Sequence, residues 1–195
     1  LNLRLRGAGD PIRNGDAVHT GILPFIKVVQ AATGSCASGG VRPGAATLNL
    51  PFWHKEIRTY LQLKNNRVNE ATRARHLDYS VHFHKLIYER YKKGQHITLF
   101  SPHETPGLYE AMYSPDTNRF EELYCFYEEA DGIFKEQILA EELLTEYLME
   151  RKRTGRLYML NADLVNSHTP FVDPIFMSNL CVAPETKILT KEGHK

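Results

Sequence analysis

Apolar and polar residues alternate at the start of the chain. Leu1, Leu3 and Leu5 are separated by Asn2, Arg4 and Arg6, the period of two that marks a half-buried strand. Gly7-Ala8-Gly9-Asp10-Pro11 breaks that pattern. The spacing then lengthens, with Val18, Ile22, Phe25, Ile26, Val29 and Ala32 recurring every three or four positions. This predicts an amphipathic helix to about Gly34, with Asp16 as its N-cap and a kink at Pro24. From Ser35 to Gly44 the glycines and Pro43 read as a loop that can close over a ligand.

Further along, 46–52 and 77–83 read as strands, 53–63 and 86–91 as helices, and 96–100 as another short strand. Pro106-Gly107 opens a short helix, and amphipathic helices are expected over 118–129 and 135–153. In the longer one, Leu139, Ala140, Leu143, Leu144, Tyr147 and Leu148 form the predicted buried stripe. Glu136, Glu141, Glu142 and Glu146 form a solvated face. Gly155 caps this helix and 157–160 returns as a strand. Strands separated by helices from end to end predict α/β organisation with largely parallel strands. Chemistry in such folds gathers at strand ends, so the two glycine-containing loops and the 178–181 segment are expected to be neighbours.

A chain of 195 residues, 42% hydrophobic, can bury a core, and no apolar run approaches the ~20 residues of a membrane helix. The net charge is +1, from 24 basic and 23 acidic residues, so no global field points to nucleic acid or to a membrane surface. Cys36, Cys125 and Cys181 are odd in number and far apart, which favours free thiols and a cytoplasmic location over a disulfide framework. Because it opens on Leu1 within a strand pattern, the chain is expected to be a segment of a longer protein.

Local chemistry is sparse. Arg6 and Arg13 flank a glycine turn and can cradle a phosphate, since guanidinium groups bind phosphate oxygens bidentately. His82 and His84 share one strand face, but no third ligand sits at a recognised spacing, so they read as structural and no metal is assigned. Lys64, Arg67, Arg73 and Arg75 form a basic run containing Glu70, read as a solvated connection.

Several blocks together resemble class I ribonucleotide reductase large subunits. They are Gly9-Asp10-Pro11-Ile12-Arg13 with His19-Thr20-Gly21, then Gly39 to Ala46, Trp53-His54, and Leu63-Lys64-Asn65-Asn66-Arg67. Leu99-Phe100-Ser101-Pro102, Pro106-Gly107-Leu108-Tyr109, Thr154-Gly155-Arg156 and Ser178-Asn179-Leu180-Cys181 continue the match. The resemblance implies a partial ten-stranded α/β barrel of an oxidoreductase that makes deoxyribonucleotides by thiyl-radical chemistry. It places Cys181 on the radical cysteine and Asn179 on the asparagine that hydrogen-bonds the substrate ribose. Arg6 and Arg13 fall on the loop that holds the phosphates of dNTP/ATP effectors. Cys36, Ser38, Gly39 and Gly40 fall on a second effector loop, and Arg42 on the arginine there that contacts substrate. Ser38 stands where relatives commonly have glutamine.

The resemblance further implies that no cofactor is bound directly, the radical being supplied by a metal-containing small subunit. Other implied partners are a ribonucleotide substrate, the missing N- and C-terminal parts of the large subunit, and a second copy in a homodimer. The segment alone is expected to be inactive.

After Cys181 the text changes. Relatives carry a proton-accepting glutamate two residues on, where this chain has Ala183. Cys181 to Gly193, with Thr186, Ile188, Thr190 and Gly193 spaced as they are, resembles the start of an intein. Residues 1–180 are then the reductase segment, 181–195 the intein start, and Cys181 the splicing nucleophile. The alternative is a non-catalytic nucleotide-binding or assembly fragment of a split reductase, without splicing.

Overall fold

The computed structural model describes residues 1, 3–38, 40, 42–67, 69–177, 189, 190, 193 and 194. Its elements are β1 (Pro11–Ile12), β2 (Ala17–Val18), α1 (Ile22–Ser35), β3 (Ala37–Ser38), β4 (Arg42–Pro43), β5 (Thr47–Pro51) and α2 (Ile57–Gln62). They continue as β6 (Asp78–Phe83), α3 (Lys85–Lys92), β7 (His96–Leu99), α4 (Leu108–Met112), α5 (Thr117–Glu129) and β8 (Glu136–Leu139). The last are α6 (Ala140–Thr154), β9 (Leu157–Asn161), α7 (Ala162–Ser167) and the short pair β10 (Leu189–Thr190) and β11 (Gly193–His194).

The centre is a parallel sheet in the order β5-β6-β9, with Leu48, Tyr79 and Leu157 in one row and Asn49, Ser80 and Tyr158 in the next. Leu1 and Leu3 flank this sheet through Asn49 N donating to Leu1 O (2.8 Å) and Leu3 N to Asn49 O (2.9 Å). The expected first strand therefore lies alongside β5, held by a few bonds. Phe100 continues the arrangement through a parallel bridge to His54. Among the described residues these strands form an open arc, and no barrel closes.

One face of the arc packs on helices, because β-branched and aromatic side chains on alternate strand positions need an apolar cover. Tyr60 of α2 meets the Tyr79 ring edge-on at 5.1 Å, and Phe83 meets Tyr147 of α6 at 5.1 Å. Trp53, Phe52, Phe100, Phe120 and Tyr124 complete a core in which each is fully buried. Among the described residues no helix is long and apolar enough to cross a membrane.

Several expectations change. The helix α1 begins at Ile22 after Gly21, not near Asp16, because residues 11–18 close a hairpin first. Pro24 then falls in the first helical turn, where its missing N–H has no helical acceptor to lose. Glu136–Leu139 is strand rather than helix and pairs antiparallel with β7, so the strands are not all parallel. Leu139 and Leu148 are exposed, and the buried side of α6 is Ala140, Leu143, Tyr147 and Glu150. Glu142 and Glu146 both pair with Arg58 of α2 instead of facing solvent alone.

Candidate functional site

The first candidate region is the loop between the N-terminal segment and α1. Its hairpin is closed by β1–β2 pairing and by Gly9 N donating to His19 O (2.9 Å) and His19 N to Asp10 O (2.8 Å). Arg13 and Asn14 at its tip take left-handed conformations (φ 50° and 57°), common for asparagine in turns and uncommon for arginine. Arg13 is exposed, and the Arg6 guanidinium donates to Pro11 O within the same loop. Both cations thus belong to one compact turn.

That turn is fastened to the end of β5 and to Ser101. The buried Asp10 carboxylate accepts from Gly7 N (2.7 Å), Lys55 Nζ (2.9 Å) and the Ser101 hydroxyl. Burial pushes its pKa up, but the hydrogen bonds from Ser101, Lys55 and Gly7 outweigh that and hold it below the ordinary carboxylate value. His54 accepts from Glu56 N at Nδ1 (3.1 Å) and shares a 3.0 Å bond with Leu5 O through Nε2, so Nε2 carries the proton. Burial lowers His54 to about 4, keeping it neutral.

The second glycine-containing loop follows α1. Its backbone forms the two-residue ladder β3–β4, pairing Ala37 with Pro43 and Ser38 with Arg42, and Gly40 turns at φ 72°. Cys36 is an exposed free thiol. Ser38 and Arg42 are placed by their backbone, and Gly39 lies outside the described residues. The two loops are not immediate neighbours along the chain's fold. They join opposite ends of the 14-residue α1, whose length is about 21 Å.

The third region lies along β5, β6 and β9. A cavity of about 500 Å³ is lined by Asn49 and Ser80 of adjacent strands, by Tyr158, and by Tyr147 and Arg151 of α6, with Met177 on its wall. Nearby, His82 Nδ1 and the Tyr113 hydroxyl share a 2.6 Å hydrogen bond, and Phe176 packs on Tyr113 with ring centroids 4.8 Å apart. Burial brings His82 down to about 4. His84, expected on the same strand face, lies past the end of β6, where Nδ1 accepts from Leu86 N and caps α3. The two histidines thus serve separate structural contacts. Asn179 and Cys181 lie outside the described residues, as do Ser178 and Leu180. Met177 and Phe176 bring the chain to this region immediately before them.

In the sequence Lys55, Glu56, Ser80 and the His82–Tyr113 pairing carry no signal of a site, and Asp10 appears only within the matched Gly9–Arg13 block. Period-two alternation over β6 could have put Ser80 and His82 on one face. The Asp10–Lys55–Ser101 cluster joins positions 45 and 91 residues apart and carries no local signature.

Comparison with known proteins bears on the same regions. The sequence matches the family described as "Ribonucleotide reductase, barrel domain" over residues 1–189. It is 50% identical over 182 residues to ribonucleoside-diphosphate reductase 1 subunit alpha of Escherichia coli, covering 92% of this chain and 24% of that protein. Against ribonucleoside-diphosphate reductase subunit alpha of Haemophilus influenzae it is 50% identical over 181 residues, covering 91% and 24%. Against that of Buchnera aphidicola it is 49% identical over 182 residues, covering 92% and 24%. The chain spans about a quarter of the length of these curated relatives.

Proposed function

The chain belongs to the ribonucleotide reductase barrel-domain family, and from that premise we propose that it is a working segment of a ribonucleoside-diphosphate reductase large subunit. The observation that carries this reading is the 50% identity over 182 residues, 92% of this chain. The open arc is one sector of the family's ten-stranded barrel, and the cavity beside Asn49, Ser80 and Met177 belongs to its interior. On this reading a ribonucleotide is reduced by radical hydrogen abstraction, with Asn179 holding the ribose and Arg42 contacting substrate. The radical comes from a metal-containing small subunit, and the remaining N- and C-terminal parts complete the large subunit. The assembled enzyme is a cytoplasmic homodimer.

Loop 6–16 takes effector phosphates in this scheme. Its tip presents Arg13 to solvent, and Arg6 stiffens the turn through Pro11 O. Cys36, Ser38, Gly39 and Gly40 form the second effector contact. In the assembled large subunit, Arg6→Ala with Arg13→Ala is expected to weaken dNTP binding by about tenfold or more, as loss of two charge-assisted contacts implies. Calorimetry with unaltered affinity would refute the assignment.

The segment ends at Leu180, and residues 181–195 begin an intein. Two sequence features support this: the intein-like run from Cys181, and Ala183 where the family carries glutamate. The Cys181 thiol attacks the Leu180 carbonyl, the C–N bond to Cys181 breaks, and the freed amine takes up the proton as a thioester forms. Splicing then joins Leu180 to a downstream residue, which supplies the radical cysteine, and Cys181 leaves with the intein.

A further inference from the structure

The turn between β5 and α2 makes an unusual number of contacts for its length, and they converge on one loop. Lys55 N donates to Phe100 O (2.8 Å), which fixes the turn against the end of β7. From that fixed point His54 bonds Leu5 O, Lys55 bonds Asp10, and Glu56 reaches across to two different elements. A single Glu56 oxygen, Oε2, accepts both Ala8 N (2.9 Å) and Ile22 N (3.1 Å). Ala8 lies inside loop 6–16, two residues from Arg6, and Ile22 is the first residue of α1.

Space has been cleared for this arrangement. A Cβ on Gly21 would sit 2.5 Å from Glu56 Oε1, and Gly21 has φ +90°. On Gly7 it would sit 2.1 Å from Lys55 Cδ. Glycine is thus required where each side chain passes the backbone. The carboxylate also sits at the positive end of α1, which favours its charge. Burial nevertheless pushes its pKa above the ordinary value, against the lowering effect of the Ala8 and Ile22 amides and of the nearby His19 and Lys55.

From this geometry we infer that Glu56 is the positioning residue that couples loop 6–16 to α1, and through α1 to the substrate-contacting loop 36–44. The inference rests on the effector reading of those loops given above. Both bonds share one oxygen, so a shift of Ala8 relative to Ile22 alters them together. The helix is a stiff connector of 14 residues. At its far end Cys36 N donates to Thr33 O (3.2 Å) and Gly44 N to Cys36 O (2.6 Å), tying the second loop to the last turn. A Cβ on Gly44 would meet Thr33 O at 2.4 Å, so that junction is close-packed as well. Phosphate captured by the first loop therefore has a short mechanical route to the second, and Glu56 is its first joint.

The test uses the assembled large subunit, with the relative kcat/KM of two ribonucleotides measured with and without a dNTP effector. Glu56→Ala is expected to reduce the effector-induced change in that ratio by about fivefold or more, the range of ordinary allosteric couplings, while leaving the effector-free rate unchanged. Glu56→Gln keeps one acceptor oxygen and is expected to restore most of the coupling. If the alanine variant does not fold, hydrogen exchange at the Ile22 amide of the unmodified protein carries the test, and no slowing there on effector binding overturns the inference. Hydrogen exchange at the Ile22 amide should slow on effector binding in the unmodified protein and not in Glu56→Ala. Full selectivity in both variants would overturn the inference, as would an effector-free rate that falls in step with selectivity. If Arg6→Ala with Arg13→Ala also leaves dNTP binding intact, the effector reading itself fails. If the arginines matter and Glu56 does not, only the coupling role is lost.

Discussion

His54 and His82 illustrate how burial sets chemistry at single positions. Both side chains are fully enclosed, and both are held neutral with pKa values lowered to about 4 by loss of solvation. In the unfolded chain a histidine protonates near pH ~6.5, so between that value and about 4 the unfolded state binds more protons than the folded one. The stability from keeping these rings neutral is complete above that window and declines as pH falls through it, by about 1.4 kcal/mol per pH unit per histidine. Urea unfolding of the assembled large subunit should accordingly show a lower midpoint at acid pH than at neutral pH, and His82→Gln should flatten the dependence. A midpoint unchanged across that window would contradict the assignment. Asp10 follows the same sign at lower pH: its depressed pKa contributes stability that is intact above the ordinary carboxylate value and is lost only as pH falls through the lowered one, so its contacts outlast this acidification.

At the scale of elements, parallel strands are held together by more than their own ladder. Tyr60 on α2 inserts its hydroxyl between β5 and β6, within hydrogen-bond reach of Leu48 O (2.6 Å) and Ser80 O (3.1 Å). Ser80 N in turn donates to that hydroxyl at 3.3 Å. Tyr60→Phe removes the hydroxyl without changing the ring, leaving buried backbone groups short of a partner at a cost of about 1–3 kcal/mol. Chemical denaturation should show that loss, and a change within error of zero would mean the strands do not depend on this contact. The same scale explains where pattern reading failed. Glu136–Leu139 has a helix-compatible composition, yet the open edge of β7 captures it as a strand. Glu150 is an acidic residue that is nevertheless buried, because Asn65 donates to both its oxygens (2.9 and 3.0 Å) and Arg153 pairs with it.

For the whole molecule, the sheet arc does not close among the described residues, and open strand edges normally require partner strands or covering elements. The cavity beside Asn49 and Ser80 is lined by these strands and also by Tyr147 and Arg151 of α6. Splicing, as proposed, would join the downstream strands that complete it. Co-expression with a matching downstream fragment should yield a ligated product by mass spectrometry, and Cys181→Ala should abolish it. Ligation that persists in that variant would sink the splicing mechanism.

The sequence alone determined most local structure and the family resemblance. Strand and helix periods are imposed by backbone geometry, so β5, β6, α5 and β9 were legible within a few residues. The turn around Gly7–Pro11 was legible too, because turn residues act through their own backbone. Only the tertiary structure decided that α1 starts after a hairpin, that residues 136–139 pair as a strand, and that Asp10, Lys55 and Ser101 meet. Those outcomes depend on contacts between distant positions: a carboxylate is buried only where the fold supplies its donors, and an edge pairs only with what the fold brings beside it. Glu56 is the clearest case, an unremarkable acid in the sequence that becomes a bridge once Ala8 and Ile22 are folded to within about 3 Å of it.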